Sequence, residues 1–425
     1  MFFLSIQHLL LSFCMYFSVF SFISHASVPP SATFKYVNEG EFGIYIAEYD
    51  ANYRPLEPFE PPFQLCFYNT TPTAFTLALR MGTARSESLR RWVWEANRGN
   101  PVGENATLNF GTDGNLVLTD ADGRIAWQTN TANKGVIGFK IFPNGNMVLH
   151  EKSFDYLTDT LLVGQSLKLG GPAKLVSRMS ETQNINGPYS LVMEDKTLGM
   201  HYKTPKSSKP LRYFSFLDLS SVMKGPLQNL TLLLGLQLAY QGPPKSFTGG
   251  TLSLTRPTYN TTLSYLRLEI DGNLRIHTYD DDADWNAWQV TYTLFSKNSY
   301  ETECQLPERC GKFGLCEEDQ CVACPSPKGL LGWSKNRQPA KVNSCGLKDF
   351  YYYKLEGIDH FTAKYTTGDG PMKQDACSSK FSKDCKCSGY FYHTQSSKCW
   401  IAYDIKTLTK GDDSTHLAFV KAPNK

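Results

Sequence analysis

An all-β protein is predicted, with two similar β-domains in tandem ahead of a disulfide-stapled C-terminal region. Three observations predict it. From residue 28 to about 300, short apolar stretches alternate with Gly, Asn, Asp and Pro turns, and no long stretch sustains helical periodicity. A twelve-residue pattern recurs four times through that region. Ten of the eleven cysteines that remain after Cys14 lie between Cys304 and Cys399, the clustering expected of an oxidised extracellular module.

The N-terminus supports the extracellular assignment. MFFLSIQHLLLSFCMYFSVFSFISHAS holds no Lys, Arg, Asp or Glu, and the first charged side chain is Lys35. An apolar run from Leu9 to Ile23 ends in Ser24-His25-Ala26, small residues at the spacing signal peptidase needs. Residues 1–26 therefore read as a secretory signal peptide cleaved near Ala26 or Ser27. The rival is an uncleaved anchor, since the run approaches the ~20 residues that span a bilayer. The tail AFVKAPNK is polar and lacks the hydrophobic end of a lipid-anchor signal. A formal charge of +3 over 425 residues, with Lys and Arg scattered, argues against nucleic acid or an anionic membrane as partner. No membrane anchor is expected on the mature chain.

Within the β region, FTLALRMG, WVWEA, LVLT, LVMED and LRLEI read as short strands. Lys203–Pro210, Tyr240–Ser246 and Tyr279–Asp284 read as loops. The repeat copies are LNFGTDGNLVLT, FKIFPNGNMVLH, SLVMEDKTLGMH and LRLEIDGNLRIH, set on Asp113, Asn144, Asp195 and Asp271. Three residues before the anchor come Phe110, Ile141, Val192 and Leu268; three and five after come Leu116/Leu118, Met147/Leu149, Leu198/Met200 and Leu274/Ile276. Odd offsets share one strand face, so each copy has an apolar core face and an anchor that looks the other way. Two copies fall in each half, which predicts domains over 28–165 and 166–298. Trp92, Trp94 and Trp127 are expected in the cores.

Ten C-terminal cysteines are expected in disulfides: Cys304, Cys310, Cys316, Cys321, Cys324 and Cys345 over 300–345, then Cys377, Cys385, Cys387 and Cys399 over 346–425. Pairing stays unassigned, because six cysteines alone allow fifteen connectivities. Cys321-x-x-Cys324 has no second pair spaced to close a tetrahedral site, so no metal and no cofactor are expected. The sequons Asn69, Asn105, Asn229 and Asn260 are expected at the surface as N-glycosylation sites. No G-x-S-x-G, H-E-x-x-H or P-loop occurs, and the acids of Tyr279–Asp284 lack calcium-loop spacing, so a non-catalytic protein is expected.

WVWEANRGNPVGENATLNFGTDGNLVLTDADGRIAWQTNT, followed by FDYLTDTLLVGQSLKLG, resembles the bulb-type lectin domain in the version that opens plant S-locus glycoproteins and S-domain receptor kinases. YVNEGEFGIYIAEYDANYRPLEPFEPPFQLCFYNTTP is similar to the secreted EP1-like glycoproteins. The resemblance implies two β-prism lectin-like domains, an EGF-like unit over 300–345, a PAN/apple module over 346–425 and no kinase. Its PAN pattern is C-x3-C-x3-C-x-C; here Phe381 stands where the second cysteine belongs. The odd thiol is then Cys66, Cys385 or Cys387.

Bulb lectins hold mannose with Q-x-D-x-N-x-V-x-Y, a period of two that puts the five side chains on one strand face. The first copy reads Gly111, Asp113, Asn115, Val117, Thr119; the second Phe142, Asn144, Asn146, Val148, His150; the third Met193, Asp195, Thr197, Gly199, His201; the fourth Glu269, Asp271, Asn273, Arg275, His277. None is complete. The candidate sugar-binding residues are Asp113, Asn115, Val117, Asn144, Asn146, Val148, Asp271 and Asn273. Two lost neutral hydrogen bonds cost about 1–3 kcal/mol, enough to remove useful binding of free mannose. The competing reading is structural, since Asp-Gly and Asn-Gly are strong turn formers. His150, His201 and His277 are expected exposed. The expected partners are cell-wall glycans or glycoproteins, with an extracellular protein partner (enzyme or receptor ectodomain) as the alternative.

Overall fold

The computed structural model describes residues 27–83, 89–149, 152–153, 156–207, 209–216, 225–243, 249–257, 261–297, 299, 301–342, 346–411 and 413–424. The proposed signal peptide, His150, Asn260 and Cys345 lie outside them. The chain is mostly β, as predicted; the α-helices among the described residues are Phe361–Tyr365 and Gln374–Ser382, both C-terminal. It divides into two compact units. One takes in Asn105–Lys140, Met147–Phe154 and the chain up to Val37; the other takes in Asn38–Glu104, Ile141–Asn146 and Asp155–Lys425.

In the first unit, Phe34–Val37, Thr107–Phe110, Leu116–Thr119 and Ile125–Gln128 form one sheet in that order. The repeat pattern explains its inner face. Phe110, Leu116 and Leu118 are buried, and Phe110 packs on Phe34 with ring centroids 5.5 Å apart.

The second unit holds the sheet Asn52–Glu60, Phe63–Asn69, Thr76–Met81 and Arg91–Glu95. Trp92 and Trp94 are core residues there, and Trp92 stacks on Tyr68 at 4.2 Å. Three four-stranded sheets follow, built on Ser264–Leu268/Leu274–Tyr279, Asn229–Leu232/Gln237–Gln241 and Asn186–Met193/Leu198–Tyr202. Alternate residues from all three, among them Leu266, Ile276, Leu230, Leu238, Leu191 and Met200, meet in one apolar core. Three sheets around one core is the prism the resemblance implies. Below Trp92, Glu95 accepts from Arg98 at 2.6 Å and Arg178 at 3.1 Å, and Arg98 reaches Asp159 at 2.8 Å. All four are buried, so each charge depends on its partners.

The third repeat copy departs from its expected alignment. Its turn is one residue shorter: Met193 pairs with Leu198, whereas Phe110 pairs with Leu116 and Leu268 with Leu274. Leu191 and Met193 are therefore buried and Val192 only half-buried, because a one-residue change moves every side chain to the other face.

In the C-terminal region, Cys304 bonds Cys316 and Cys310 bonds Cys321. Cys321 is thereby removed from any metal-binding pair with Cys324. Cys385 is also disulfide-bonded, which takes it off the list of odd thiols. Cys324, Cys377, Cys387 and Cys399 were expected in disulfides but stand unbridged and buried. Cys377 and Cys399 lie within hydrogen-bonding reach of each other. Cys387 shares a core cluster with Phe381, the residue that stands where the family's second cysteine belongs. Cys66 is also unbridged, and burial pushes its thiol up to about 12. Strand Phe313–Glu317 pairs in parallel with Lys406–Lys410, so the cysteine-rich stretch and the last module share a sheet.

Candidate functional site

The D-G-N stretches form tight turns. Strand pairing stops at Phe110–Leu116, so Gly111–Asn115 is the reversal itself and not part of one extended strand. Gly111 N donates to Asn115 O at 3.4 Å, and Gly114 N donates to Gly111 O at 3.0 Å. The second copy repeats this through Phe142–Asn146 and Gly145–Phe142, each at 2.8 Å, and the fourth through Glu269–Asn273 at 2.9 Å and Gly272–Glu269 at 3.0 Å. The expectation that five side chains share one strand face is corrected accordingly: in the first, second and fourth copies the first and third positions of the motif face each other across the turn.

The anchors hold the turns. Asp113, Asn144 and Asp271 each accept through Oδ1 from the backbone N–H two residues on, at 3.0, 3.1 and 2.8 Å. The following Asn ties the turn to the next strand. Asn115 Nδ2 donates to Gln128 at 2.9 Å, while its Oδ1 accepts from Thr129 Oγ1 and Thr131 N. Asn144 Nδ2 donates to Val163 O at 2.9 Å, and Asn146 Nδ2 points at the same carbonyl at 3.5 Å. Asn273, fully buried, donates to Phe295 O and accepts from Phe295 N and Leu274 N. Val117 and Val148 remain half-buried on the outward strand faces. Gln128, which sequence reasoning missed, comes from the neighbouring strand and lies opposite Val117.

A fifth hairpin was also missed. Leu232 pairs with Leu238, the same six-residue span as Phe110 to Leu116, in a stretch without D-G-N. Its turn makes the same bonds, Leu233 N to Gln237 O at 2.9 Å and Leu236 N to Leu233 O at 3.0 Å. The six-residue spacing of apolar residues was the available signal.

The histidines are not the exposed residues expected. His277 is buried, stacks on Tyr265 at 5.1 Å and meets Glu269 at 2.6 Å. Burial lowers its pKa, and the bond to Glu269 offsets this only in part. Burial alone would push the Glu269 carboxyl up, but the His277 bond and Arg267 bring it below its ordinary range. His201 is half-buried against Glu194 at 3.1 Å. Of the sequons, Asn105 is exposed and Asn229 half-buried, whereas Asn69 is buried at the end of its strand, contrary to the surface position expected.

Outside the turns, the fourth copy contributes to a cleft of about 1100 Å³. Glu269, Asp271, Arg275, Glu308, Arg309 and Tyr49 are among the residues that line it. Asp271 and Arg275 are paired at 2.8 Å, as are Glu303 and Arg309 at 2.6 Å. Tyr49 and Asp50 both have left-handed backbone, φ 68° and 50°, a conformation that costs a bulky residue energy. The cleft lining is rich in carboxylates, with the guanidinium groups of Arg275 and Arg309 among them, a donor and acceptor set suited to hydroxyl-rich ligands.

Residues 91–182 match the D-mannose binding lectin family model, and residues 239–332 the S-locus glycoprotein domain model. The chain is 49% identical over 430 residues to EP1-like glycoprotein 3 of Arabidopsis thaliana, covering 97% of both chains. It is 56% identical over 365 residues to the epidermis-specific secreted glycoprotein EP1 of Daucus carota, across 78% of this chain and 93% of that one. A PAN domain-containing protein of Arabidopsis thaliana is 24% identical over 342 residues, covering 78% of this chain and 66% of its own length.

Proposed function

The chain belongs to the EP1-like glycoproteins of plants, and from that premise we propose that it recognises a wall polysaccharide or glycoprotein glycan through the cleft beside its fourth hairpin. Members of this family are secreted glycoproteins with lectin-type domains, and this chain is one of them. The observation that carries the reading is the cleft itself. The outward residues of one lectin-type hairpin, Glu269, Asp271 and Arg275, line a space large enough for several sugar units, next to two strained residues. In the first and second hairpins, Asp113, Asn115, Asn144 and Asn146 are occupied by the turns they build, leaving Val117 and Val148 as the outward remnants of a mannose face. The reaction class is binding without catalysis.

One observation favours the alternative of a protein partner: Ile44 and Ile46, 88% and 69% exposed, sit in one segment with exposed Phe42 and Tyr45. A plant-glycan array run on the secreted protein and on Arg275→Ala/Arg309→Ala separates the two. Binding of one glycan class, lost in the variant, supports the cleft. Silence on every glycan, with a defined extracellular protein captured by wild type and lost by Ile44→Ser/Ile46→Ser, supports the alternative and sinks the glycan reading.

A further inference from the structure

We propose that the C-terminal module carries a divalent transition-metal site made by His393, His416 and Asp413. The strands Gly389–His393 and His416–Pro423 pair antiparallel with His393 directly opposite His416, and the two imidazole rings are 4.4 Å apart. Asp413 precedes the second strand. One ring nitrogen or carboxylate oxygen from each of the three lies within 4.8 Å of the others.

Each ligand is held by the atom it does not need. Asp359, from the strand Ile358–His360, accepts from His416 Nδ1 at 3.0 Å, which leaves Nε2 as the lone pair, 3.8 Å from Asp413 Oδ2. His393 Nδ1 is engaged by Ser396 Oγ at 2.7 Å, leaving its Nε2 as the nitrogen to coordinate. Asp413 Oδ1 accepts from Thr415 N at 2.9 Å and Thr415 Oγ1 at 2.6 Å, leaving Oδ2 for the shared space. A carboxylate on the far nitrogen of a ligand histidine is the arrangement that fixes ring orientation and raises basicity in metal sites. Donors bound at about 2.0–2.1 Å in tetrahedral geometry sit roughly 3.4 Å apart, so closing the 3.8 Å gap takes a few tenths of an ångström. Two imidazoles and one carboxylate suit zinc, copper or nickel rather than calcium or magnesium, and the half-exposed position leaves a fourth place for water or a partner's ligand. No local sequence spacing marks the site, because His393 and His416 come together only through strand register.

Isothermal titration of the full-length secreted protein with Zn²⁺ tests this. The expected result is one ion per chain, binding abolished in His393→Gln/His416→Gln and weakened about 10- to 100-fold in Asp359→Asn, which removes no ligand. Circular dichroism of the metal-free variants establishes that they fold. If the double variant does not fold, the Asp359→Asn comparison decides alone. Absence of uptake by wild type, or equal uptake by wild type and the variants, overturns the site.

Discussion

The first hairpin and the leucine hairpin make the same turn with opposite chemistry. Asp113-Gly114-Asn115 and Gly235-Leu236-Gln237 occupy matching positions, and the two cross-turn bonds are alike. Gly114 takes φ 77° and Leu236 φ 51° at the same point. In the first hairpin the turn is held by side-chain caps, and a Cβ on Gly114 would come within 2.7 Å of Val136. The other D-G-N or N-G-N turns are covered likewise: a Cβ on Gly145 would meet Phe63 at 2.5 Å, and one on Gly272 would meet Tyr189 at 2.6 Å. In the leucine hairpin the residue at that point turns inward: Leu236 is itself fully buried in the core, while Thr261 Oγ1 and Leu254 N donate to the turn's carbonyls at Leu234 and Leu236. The turn is thus a demand of the fold, met either by small polar residues under a lid or by a strained leucine that fills its own space. D-G-N is evidence for the hairpin, and it carries no information about mannose by itself.

The largest expected effect comes from emptying the leucine hairpin. Leu236→Ala should cost about 2–5 kcal/mol in urea unfolding, the range of a buried leucine truncation. Leu236→Gly should recover about 1 kcal/mol of that by relieving the left-handed backbone. A glycine variant as stable as wild type would break the comparison, since it would mean that Leu236 fills nothing.

Gly272→Ala comes next. It combines about 1 kcal/mol of left-handed strain with an overlap against Tyr189 of the kind that costs a further 1–3 kcal/mol. Gly123→Ala, at φ 90° with nothing within 4 Å, should show the strain alone. Equal losses at the two glycines would remove the lid from the account.

Asn273→Ala should cost about 1–3 kcal/mol, because it leaves the Phe295 backbone groups buried and unpaired. Asp113→Ala, at an exposed turn, should cost about 0.5–1.5 kcal/mol for one bond. Thermal melts of the two variants order them.

The smallest effect is in pH. The fourth hairpin holds Glu269 and His277 where the first has Gly111 and Thr119. Burial sets the His277 pKa low, so the folded state disfavours the proton that the unfolded state takes up near pH 6.5. The Glu269 pKa is also low despite burial, held down chiefly by His277. Both contributions are complete above the unfolded values and fade on acidification, first through His277 and then through Glu269. Protection factors, that is, exchange corrected for its intrinsic dependence on pH, should therefore fall in the fourth hairpin below pH 6.5 while those of the first stay level, and His277→Gln should remove the early part of that change.

Much of the fold was legible in sequence because a hairpin with a buried face repeats its apolar residues at a fixed spacing. Phe110, Leu116, Leu118, Leu268, Leu274 and Ile276 are in the core where that spacing puts them. Val192 was misplaced because a turn shorter by one residue looks the same in an ungapped alignment. The leucine hairpin escaped because its turn lacks the residues by which turns are recognised. The candidate site was less legible. The cleft joins residues near positions 50, 270 and 308, and no local pattern records such a meeting. The pairing of His277 with Glu269 places an eight-residue separation face to face across a strand reversal, which an extended-strand reading of the motif cannot represent.

The most direct test of the account measures the affinity of the best array glycan for three proteins side by side: wild type, Val117→Asp on the first hairpin, and Arg275→Ala/Arg309→Ala in the cleft. If the cleft is the binding site, the cleft variant loses at least about tenfold, as expected from the removal of two charged hydrogen-bonding groups, and Val117→Asp changes no more than about twofold. Loss of binding in Val117→Asp with wild-type affinity in the cleft variant would contradict it.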